Sequence, residues 1–230
     1  MLNAVMLTHN RPLLTKQALE TFFSNSKLDW TLTVVDDDSN YQTESVLRNF
    51  NIKENMKVLK VSNALHNTAL LRNMGVWFSD HYWGRGDFLY LSDNDACFTY
   101  GWDEALLSAW KMWQDKFKLV GPYRHPFHQP IAKYRFDGCD LVATDAVQGI
   151  GHMMRWETWD KYGPLSEHKG QGNGTNQSED FAFCQAIVKD GFLVGSIQPE
   201  VVHNCGITGS NGKPSPGSNL IERLKGVYYE

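Results

Sequence analysis

Two stretches of this sequence decide its fold: residues 32–39, which read LTVVDDDS, and residues 88–95, which read FLYLSDND. Each begins with apolar residues that are typical of a buried strand and ends in a cluster of acids that cannot continue one. In open α/β sheets, ligands bind in the crevice beyond the carboxyl ends of the strands. The acidic clusters over residues 36–39 and 93–95 are therefore predicted to face one binding site.

The residues around these stretches alternate between strand and helix patterns. In the first part of the chain, strands are predicted over residues 5–8, 32–35, 58–61 and 88–91, and helices over 12–25, 45–50 and 68–78. The second part is less regular, with a helix over 103–113, a strand over 119–121, hairpin strands near Tyr134 and Leu141, and a helix over 179–188. Alternating βαβ units predict an α/β fold with a mostly parallel central sheet flanked by helices.

The composition limits the class of protein. The 230 residues, 42% hydrophobic and 21% charged, fit one globular domain with a sizeable core. The formal net charge of -4 lacks the basic excess that is typical of nucleic-acid binders. Because net charge does not say where charges lie, a local basic stripe stays open at Arg124, His125, His128, Lys133 and Arg135.

The cysteines and the N-terminal residues indicate the cellular compartment in which the protein is expected. Four widely spaced cysteines without a CxxC pair argue against zinc-ribbon and thioredoxin-like sites and favour reduced thiols. The apolar run over residues 4–7 is too short for a signal peptide or a membrane span. We therefore expect a cytoplasmic protein without a membrane anchor.

The tripeptide Asp93-Asn94-Asp95 places two carboxylates one residue apart after an apolar strand. Two such carboxylates on a turning chain can share a hard cation and leave coordination sites for phosphate oxygens. Taken alone, the tripeptide fits a solvated turn better than a metal site, because acidic turns after strands are common.

Further segments complete a longer pattern, which reads THNRP at 8–12, VVDDDS at 34–39, LRNMG at 71–75, LSDND at 91–95, QGIGHMMR at 148–155, SED at 178–180 and VVH at 201–203. With these segments the chain resembles the inverting family-2 glycosyltransferases of the GT-A fold, a Rossmann-like fold of nucleotide-diphospho-sugar transferases. The resemblance covers residues 3–205 approximately. The order and spacing of the segments are more specific than any one of them.

The resemblance implies a donor site for a nucleotide sugar, most often a UDP-sugar. By this resemblance Asp37 accepts from N3–H of uracil, although the triple acid leaves Asp36 as an alternative. The other residues that it assigns to the donor are Thr8, Asn10, Arg11, Asn67, Arg72, Asp93, Gly149 and Gly151. The two glycines would let the backbone approach the donor sugar closely.

The resemblance also implies a metal site and a catalytic base. Asp95 would ligate Mn2+ or Mg2+, with Asp93 and His203 in the same metal shell. Asp180 would act as the base, beside Glu179 in an ED motif. A cation can stabilise the departing diphosphate, and one base opposite the leaving group gives inversion in a single displacement.

The predicted organisation has a catalytic domain over residues 1–205, with a nucleotide-binding half over 1–100 and an acceptor and catalytic half over 101–205. A flexible segment rich in glycine and proline is expected over 206–230. The QxxRW stretch and membrane helices of processive synthases are missing from the sequence, which favours the transfer of one hexosyl or pentosyl unit per encounter.

Each site residue also has a purely structural interpretation. Asp37 and Asp38 could cap the following helix, and Glu179 and Asp180 could be acids of a helix first turn. His203 could be a hydrogen-bonded core histidine, and Arg72 could pair with an acid on its own helix. Conversely, Trp156 and Trp159 could contact an acceptor, although core packing is the usual role of tryptophan.

Two other functions stay open at this stage. A nucleotidyltransferase of the same general fold would need a glycine-rich loop after the first strand, where this chain has residues 8–12, THNRP. A non-catalytic nucleotide- or carbohydrate-binding module would need no base. For a transferase, the acceptor could be a surface glycan or a modified DNA base, the latter requiring a basic groove beside Asp180.

Overall fold

A computed structural model of the protein describes residues 1–124, 128–136, 138–166 and 179–206. The strands are β1 (Leu2–Thr8), β2 (Trp30–Asp37), β3 (Met56–Val61), β4 (Phe88–Asp93), β5 (Ala96–Phe98), β6 (Phe117–Gly121), β7 (Pro130–Phe136), β8 (Cys139–Thr144), β9 (Gly151–Arg155), β10 (Leu193–Gln198) and β11 (Val202–Asn204). The helices are α1 (Pro12–Asn25), α2 (Tyr41–Phe50), α3 (Thr68–Trp83), α4 (Trp102–Trp113), α5 (Trp156–Tyr162) and α6 (Glu179–Lys189).

One nine-stranded sheet runs through the molecule in the order β3-β2-β1-β4-β9-β6-β10-β8-β7. Strands β8 and β9 run against the direction of the other seven. This arrangement confirms the expected mostly parallel α/β sheet. A second, two-stranded sheet pairs β5 with β11 and brings the chain after residue 200 back beside the acidic turn that follows β4.

The central strands are buried along almost their whole length because helices cover both faces of the sheet. Every residue of β1 is buried, as is every residue of β2 after Trp30. Helices α1, α2 and α4 contribute to the core on one face, and α3, α5 and α6 contribute to the core on the other. Continuous apolar runs of this kind are typical of parallel strands in α/β proteins.

The acids after β2 differ from the expectation that they terminate the strand. Asp36 and Asp37 continue β2, and both are buried. Their carboxylates accept backbone N–H groups of Ser39, Leu65 and His66, so polar partners offset the cost of burying them. The strand can therefore carry its acids into the interior.

Several short elements were not predicted: β5, β9, β10 and α5. Gly195 lies in the middle of β10, where a Cβ atom would stand 2.6 Å from the carbonyl oxygen of Val142 on β8. The glycine weakens the local strand pattern, yet the close approach of β8 requires it. The helix over 103–113, the strand over 119–121 and the hairpin strands near Tyr134 and Leu141 are all confirmed.

The tryptophans that could have contacted an acceptor belong to the core. Trp156 and Trp159 are 4% and 9% exposed, and Nε1 of Trp156 donates to Oδ1 of Asn3 at 3.1 Å. The interpretation that these rings pack the interior is therefore the better one. The four cysteines are free thiols. Within the described ranges, no helix combines the length and apolar character needed to span a bilayer.

Candidate active site

Arg72 on α3 joins the acidic turn after β4 to the start of α6. Its Nη2 donates to Oδ1 of Asp93 at 2.8 Å and to the carbonyl oxygen of Gly149 at 2.8 Å, and its Nη1 lies 3.4 Å from Oε1 of Glu179. The side chain is 2% exposed. Burial lowers the pKa of Arg72, but Asp93 and Glu179 more than offset this, so its pKa lies above the ordinary value. Arg72 thus pairs with acids of other elements, not of its own helix.

Both backbone polar groups of Gly149 are held by side chains. Its N–H donates to Oδ2 of Asp180 at 2.8 Å, while Arg72 donates to its carbonyl oxygen. A Cβ atom on Gly149 would stand 2.7 Å from Nη2 of Arg72. On Gly151, a Cβ would stand 2.4 Å from the hydroxyl oxygen of Tyr90. Protein side chains already require small residues at both positions, whatever the donor sugar requires.

Asp180 and Glu179 form the first turn of α6. Oδ1 of Asp180 accepts from the N–H of Phe181 at 2.8 Å, in addition to the contact from Gly149. Burial raises the pKa of Glu179 above its ordinary value, and the charge of Arg72 opposes this shift. The interpretation that Glu179 and Asp180 are acids of a helix first turn is correct for their position. This position does not conflict with a role of Asp180 as a base. Ser178 lies outside the described residues.

Asp95 has a cation beside it in the form of Arg11, whose Nη1 lies 3.2 Å from Oδ2 of Asp95. Burial, with repulsion from Asp93, raises the pKa of Asp95 to about 6, and Arg11 opposes that shift. The ligand atoms that the tripeptide offers to a metal are carboxylate oxygens, which suit a hard divalent cation. A buried acid with a raised pKa next to a second acid is a site that a cation would stabilise.

His203 lies on β11, opposite Cys97 of β5, and its Nδ1 is 3.9 Å from Oε2 of Glu200. The backbone N–H of Cys205 donates to the carbonyl oxygen of Asp95 at 2.7 Å, so β11 adjoins the acidic turn. Across the described part of the chain, however, Asp93, Asp95 and His203 are not grouped as closely as another set. That set is His9, Asp37 and His66, whose ligand atoms all lie within 4.8 Å of one another.

The turn after β1 is fixed by Asn94, the middle residue of the acidic tripeptide, whose own role its sequence position does not predict. Nδ2 of Asn94 donates to the hydroxyl oxygens of Thr8 at 3.0 Å and Thr15 at 2.9 Å. Asn10 binds the other acidic turn, since its N–H donates to Oγ of Ser39 and its Oδ1 accepts from the N–H of Asn40. Asn10 and Arg11 both have left-handed backbone angles, which make a tight turn without glycine.

The capping interpretation of the acids after β2 is wrong. Helix α2 is capped by Asn40, whose Oδ1 accepts from the N–H of Thr43 at 3.0 Å. Asp38 is exposed, and Asp37 instead accepts the N–H groups of Leu65 at 2.7 Å and His66 at 2.9 Å. Asp37 thereby ties the end of β2 to the loop that follows β3.

Asn67 is the N-cap of α3. Its Oδ1 accepts from the N–H of Leu70 at 3.0 Å. This cap accounts for its residue type without a ligand. His152, to which no role is assigned from the sequence, is buried in β9, and its Nε2 lies 2.9 Å from the carbonyl oxygen of Val147. Burial, with the charge of Arg72, lowers the pKa of His152, so this ring is a neutral core residue.

The sequence matches a protein-family model described as glycosyl transferase family 2 over residues 4–126. The matched segment is more than half of the 230-residue chain and contains both acidic turns and Arg72. The chain belongs to glycosyl transferase family 2. No curated protein matches it in sequence.

Solved structures show the same fold as this family member. They include the mannosyltransferase PcManGT from Pyrobaculum calidifontis in complex with GDP-Man and Mn2+, with a TM-score of 0.59 and 15% identity over 85% of this chain and 56% of the other. TarS 1-349 of S. aureus has a TM-score of 0.59 and 13% identity, with coverages of 87% and 59%. GalNAc-T7 with UDP, GalNAc and Mn2+ has a TM-score of 0.62 and 13% identity, with coverages of 86% and 43%. The chain thus spans less than two thirds of the length of each.

The family match and the geometry cover different parts of the site. Glu179, Asp180, Gly149 and His203 all lie beyond the matched residues 4–126. What connects Gly149, Glu179 and Asp180 to the matched part of this family-2 chain is the Arg72 network. The segment expected over 206–230 lies outside the described residues except for Gly206.

Proposed function

We propose that this chain transfers a sugar from a nucleotide-sugar donor to an acceptor hydroxyl. The observation that carries the proposal is a series of contacts that begins at Asp93 and ends at Asp180. It passes through the guanidinium of Arg72 and the backbone C=O and N–H of Gly149. It joins the acidic turn of the family-2 segment to a carboxylate that could act as a base. A transferase needs these two groups on opposite sides of one reacting carbon.

The donor would bind across the ends of β1, β2 and β4. Asp37 accepts the uracil N3–H in this proposal, as the resemblance to family 2 implies; each of its carboxylate oxygens accepts one backbone N–H and keeps a further lone pair. Arg11 lies beside the same crevice and carries a charge suited to phosphate. Structures of two relatives contain GDP-Man, which is a nucleotide sugar, and UDP, which is a nucleoside diphosphate.

Asp95 and Asp93 would hold the divalent cation. The raised pKa of Asp95 and the guanidinium of Arg11 beside it both indicate a position where positive charge is favourable. When bound, a hard cation such as Mn2+ or Mg2+ supplies charge that stabilises the leaving diphosphate. His203 on the neighbouring β11 is proposed as a further ligand of the same cation.

Asp180 would take the proton of the acceptor hydroxyl. The acceptor oxygen forms a bond to the anomeric carbon as the bond from that carbon to the diphosphate oxygen breaks, which inverts the configuration. The N–H groups of Gly149 and Phe181 each donate to one oxygen of Asp180 and fix the direction of its carboxylate. Glu179 remains bound to Arg72 and serves to position that arginine.

A glycan is favoured over DNA as the acceptor. Two residues of the basic stripe that could have contacted phosphates are paired with acids: Nε of Arg135 lies 3.0 Å from Asp140, and Nδ1 of His128 lies 3.1 Å from Asp145. His125 lies outside the described residues. Binding to a duplex depends on phosphate contacts from unpaired cations. Sugar hydroxyls need only polar partners, which the site offers.

The test is a calorimetric titration of UDP into the protein with Mn2+, with EDTA, and in the variants Asp95→Ala and Asp37→Asn. UDP should bind with Mn2+ and lose affinity in the other three cases. Asp38→Asn is the matched control, since Asp38 is the exposed acid of the same triplet. Equal binding in EDTA, or a loss in Asp38→Asn alone, would contradict the proposed donor site.

The base is tested separately by Asp180→Asn. Because an amide cannot take the proton, turnover of a UDP-sugar found by screening should fall about 100- to 10,000-fold. UDP affinity should stay within about two-fold, since the amide oxygen can still accept from the N–H of Gly149. A matched loss of UDP affinity would mean that Asp180 shapes the donor site.

A further inference from the structure

A second cluster of metal-ligand side chains lies at the carboxyl ends of three neighbouring strands. His9 follows β1, Asp37 ends β2, and His66 lies in the loop after β3. Their ligand atoms all lie within 4.8 Å of one another. These three residues, called here the His-Asp-His cluster, are different from the acids proposed to hold the cation of the transfer reaction.

The hydrogen bonds of His9 fix which of its nitrogens carries a proton. Nδ1 lies 2.6 Å from the carbonyl oxygen of Asp37, which can only accept, so Nδ1 donates. Nε2 lies 2.8 Å from the amide nitrogen of Asn10, which can only donate, so the lone pair of Nε2 accepts from Asn10, and this amide must turn away before Nε2 binds a metal ion. A backbone carbonyl that holds one ring nitrogen of a histidine is the usual support for metal binding through the other.

Asp37 is fixed just as firmly. Each carboxylate oxygen accepts one backbone N–H, from Leu65 at 2.7 Å and from His66 at 2.9 Å, and each keeps a further lone pair. The side chain is 3% exposed, so its position is set by the surrounding loops. A carboxylate ligand that is oriented in advance loses little entropy when a cation binds.

His66 supplies the third ligand and the route of entry. Its side chain is 67% exposed, and its Nδ1 lies 3.7 Å from Oδ2 of Asp37. The two imidazole rings meet edge to face with centroids 4.8 Å apart. Ligand atoms of tetrahedral zinc lie about 3.3 Å apart, given metal-ligand bonds of roughly 2.0–2.2 Å. Rotation of the exposed His66 side chain can close the remaining gap.

We infer that the His-Asp-His cluster binds a borderline transition-metal ion, with Zn2+ as the best match. Two imidazoles and one carboxylate suit zinc, whereas Mn2+ and Mg2+ prefer sites of oxygen ligands such as the pair Asp93 and Asp95. Three protein ligands leave a fourth position for water or another ligand. The ion would occupy Asp37, so zinc and the nucleobase compete; this competition, unlike zinc binding itself, rests on the proposed function.

The test titrates Zn2+ into the metal-stripped full chain in competition with a chromogenic chelator. The wild type should bind zinc, and His66→Ala and His9→Gln should weaken the zinc Kd by at least about ten-fold. His81→Ala is the matched control, because His81 is another exposed histidine and lies in the last turn of α3, at the end of the helix away from His66. The variants His81→Ala and Asp95→Asn should bind zinc with the affinity of the wild type. Wild-type affinity for zinc in His66→Ala, or a loss of zinc affinity in Asp95→Asn, would overturn the inference.

Cobalt reports which ligands are used. Co2+ in the His-Asp-His cluster should give the visible bands of a tetrahedral site without a thiolate charge-transfer band. The four free cysteines make thiolate ligation the main rival, and a thiolate band would overturn the inference.

Competition with nucleotide separates this inference from the proposed function. In the wild type, zinc should weaken UDP binding measured with Mn2+, and in His66→Ala this effect should disappear. If zinc displaced Mn2+ from Asp95 instead, the effect would persist in His66→Ala, and the inference would be wrong. Zinc binding to a protein that does not bind UDP would support the cluster and refute only the proposed function.

Discussion

Arg72 and Arg85 contact their surroundings in similar ways but differ in burial. Each binds two carboxylates, Asp93 and Glu179 for Arg72, Asp80 and Asp160 for Arg85. The side chain of Arg72 is 2% exposed and that of Arg85 is 42% exposed. Removal of a buried partner leaves charges without compensation in a low-dielectric site, whereas water replaces an exposed one.

We therefore predict that Arg72→Ala lowers the free energy of unfolding by about 3–5 kcal/mol, and that Arg85→Ala lowers it by less than about 1 kcal/mol. Urea denaturation followed by circular dichroism, in EDTA, measures both. Similar losses in the two variants would show that burial does not govern the strength of these contacts.

Asp95 should destabilise the metal-free protein at neutral pH. Burial, then repulsion from Asp93, raises its pKa to about 6, against roughly 3.9 in an unfolded chain. The folded state therefore holds this proton at higher pH than the unfolded state does. As pH rises through 6, the folded state must accommodate a buried charge, and stability is lost.

In EDTA at pH 8, Asp95→Asn should melt at a higher temperature than the wild type. The difference in free energy of unfolding between variant and wild type should be smaller at pH 5 than at pH 8 by on the order of 1 kcal/mol. At pH 5 the carboxyl of Asp95 in the folded wild type is largely protonated. Calorimetric melts at the two pH values give the comparison. Mn2+ should reverse the order by stabilising only the wild type. A wild type that melts higher than the variant in EDTA at pH 8 would refute the prediction.

At the scale of elements, the sequence predicts best where local pattern and tertiary environment agree. Strands β1, β2 and β4 are mainly apolar and buried, so their local pattern predicts them well. The acids at the ends of β2 and β4 indicate the position of the candidate site. Strand β9 and the three-residue strands β5 and β11 depend on pairing with distant segments, so their own residues give little signal. The same holds for His66, which reaches Asp37 only through the pairing of β2 with β3.

Helix α3 illustrates a packing constraint that outweighs helix propensity. Gly75 faces the sheet, and a Cβ there would stand 2.5 Å from Cγ1 of Val5 and 2.6 Å from Cγ2 of Val35. Alanine is favoured over glycine in a helix by about 1 kcal/mol, but overpacking a core costs about 1–3 kcal/mol. Because both contacts are shorter than any normal Cβ contact, the packing cost should prevail.

Gly75→Ala should therefore lower the free energy of unfolding by on the order of 1–2 kcal/mol. Urea denaturation provides the value. The double variant with Val35→Ala should lose less than the sum of the two single variants, because the smaller residue makes room for the new methyl group. A stabilised Gly75→Ala variant would mean that α3 can move away from the sheet.

The whole molecule is organised around one continuous sheet. The sequence suggested a nucleotide-binding half over residues 1–100 and an acceptor half over 101–205. Strand β9 pairs with β4 of the first part and with β6 of the second, so hydrogen bonds cross this division without interruption. One hydrophobic core also includes Leu19 from α1 and Ile197 from β10. The two parts thus share both their backbone pairing and their packing.

This sharing predicts that residues 1–206 unfold as one cooperative unit. Gly75→Ala disturbs the first part, and Ile197→Ala, which empties a fully buried position on β10, disturbs the second by about 2–5 kcal/mol. Each variant should shift the whole transition, with tryptophan fluorescence and circular dichroism giving the same midpoint. If instead Ile197→Ala split the transition and left a stable first part, the two parts would be separate folding units, and the contacts from Arg72 to α6 would then form only after the first part had folded.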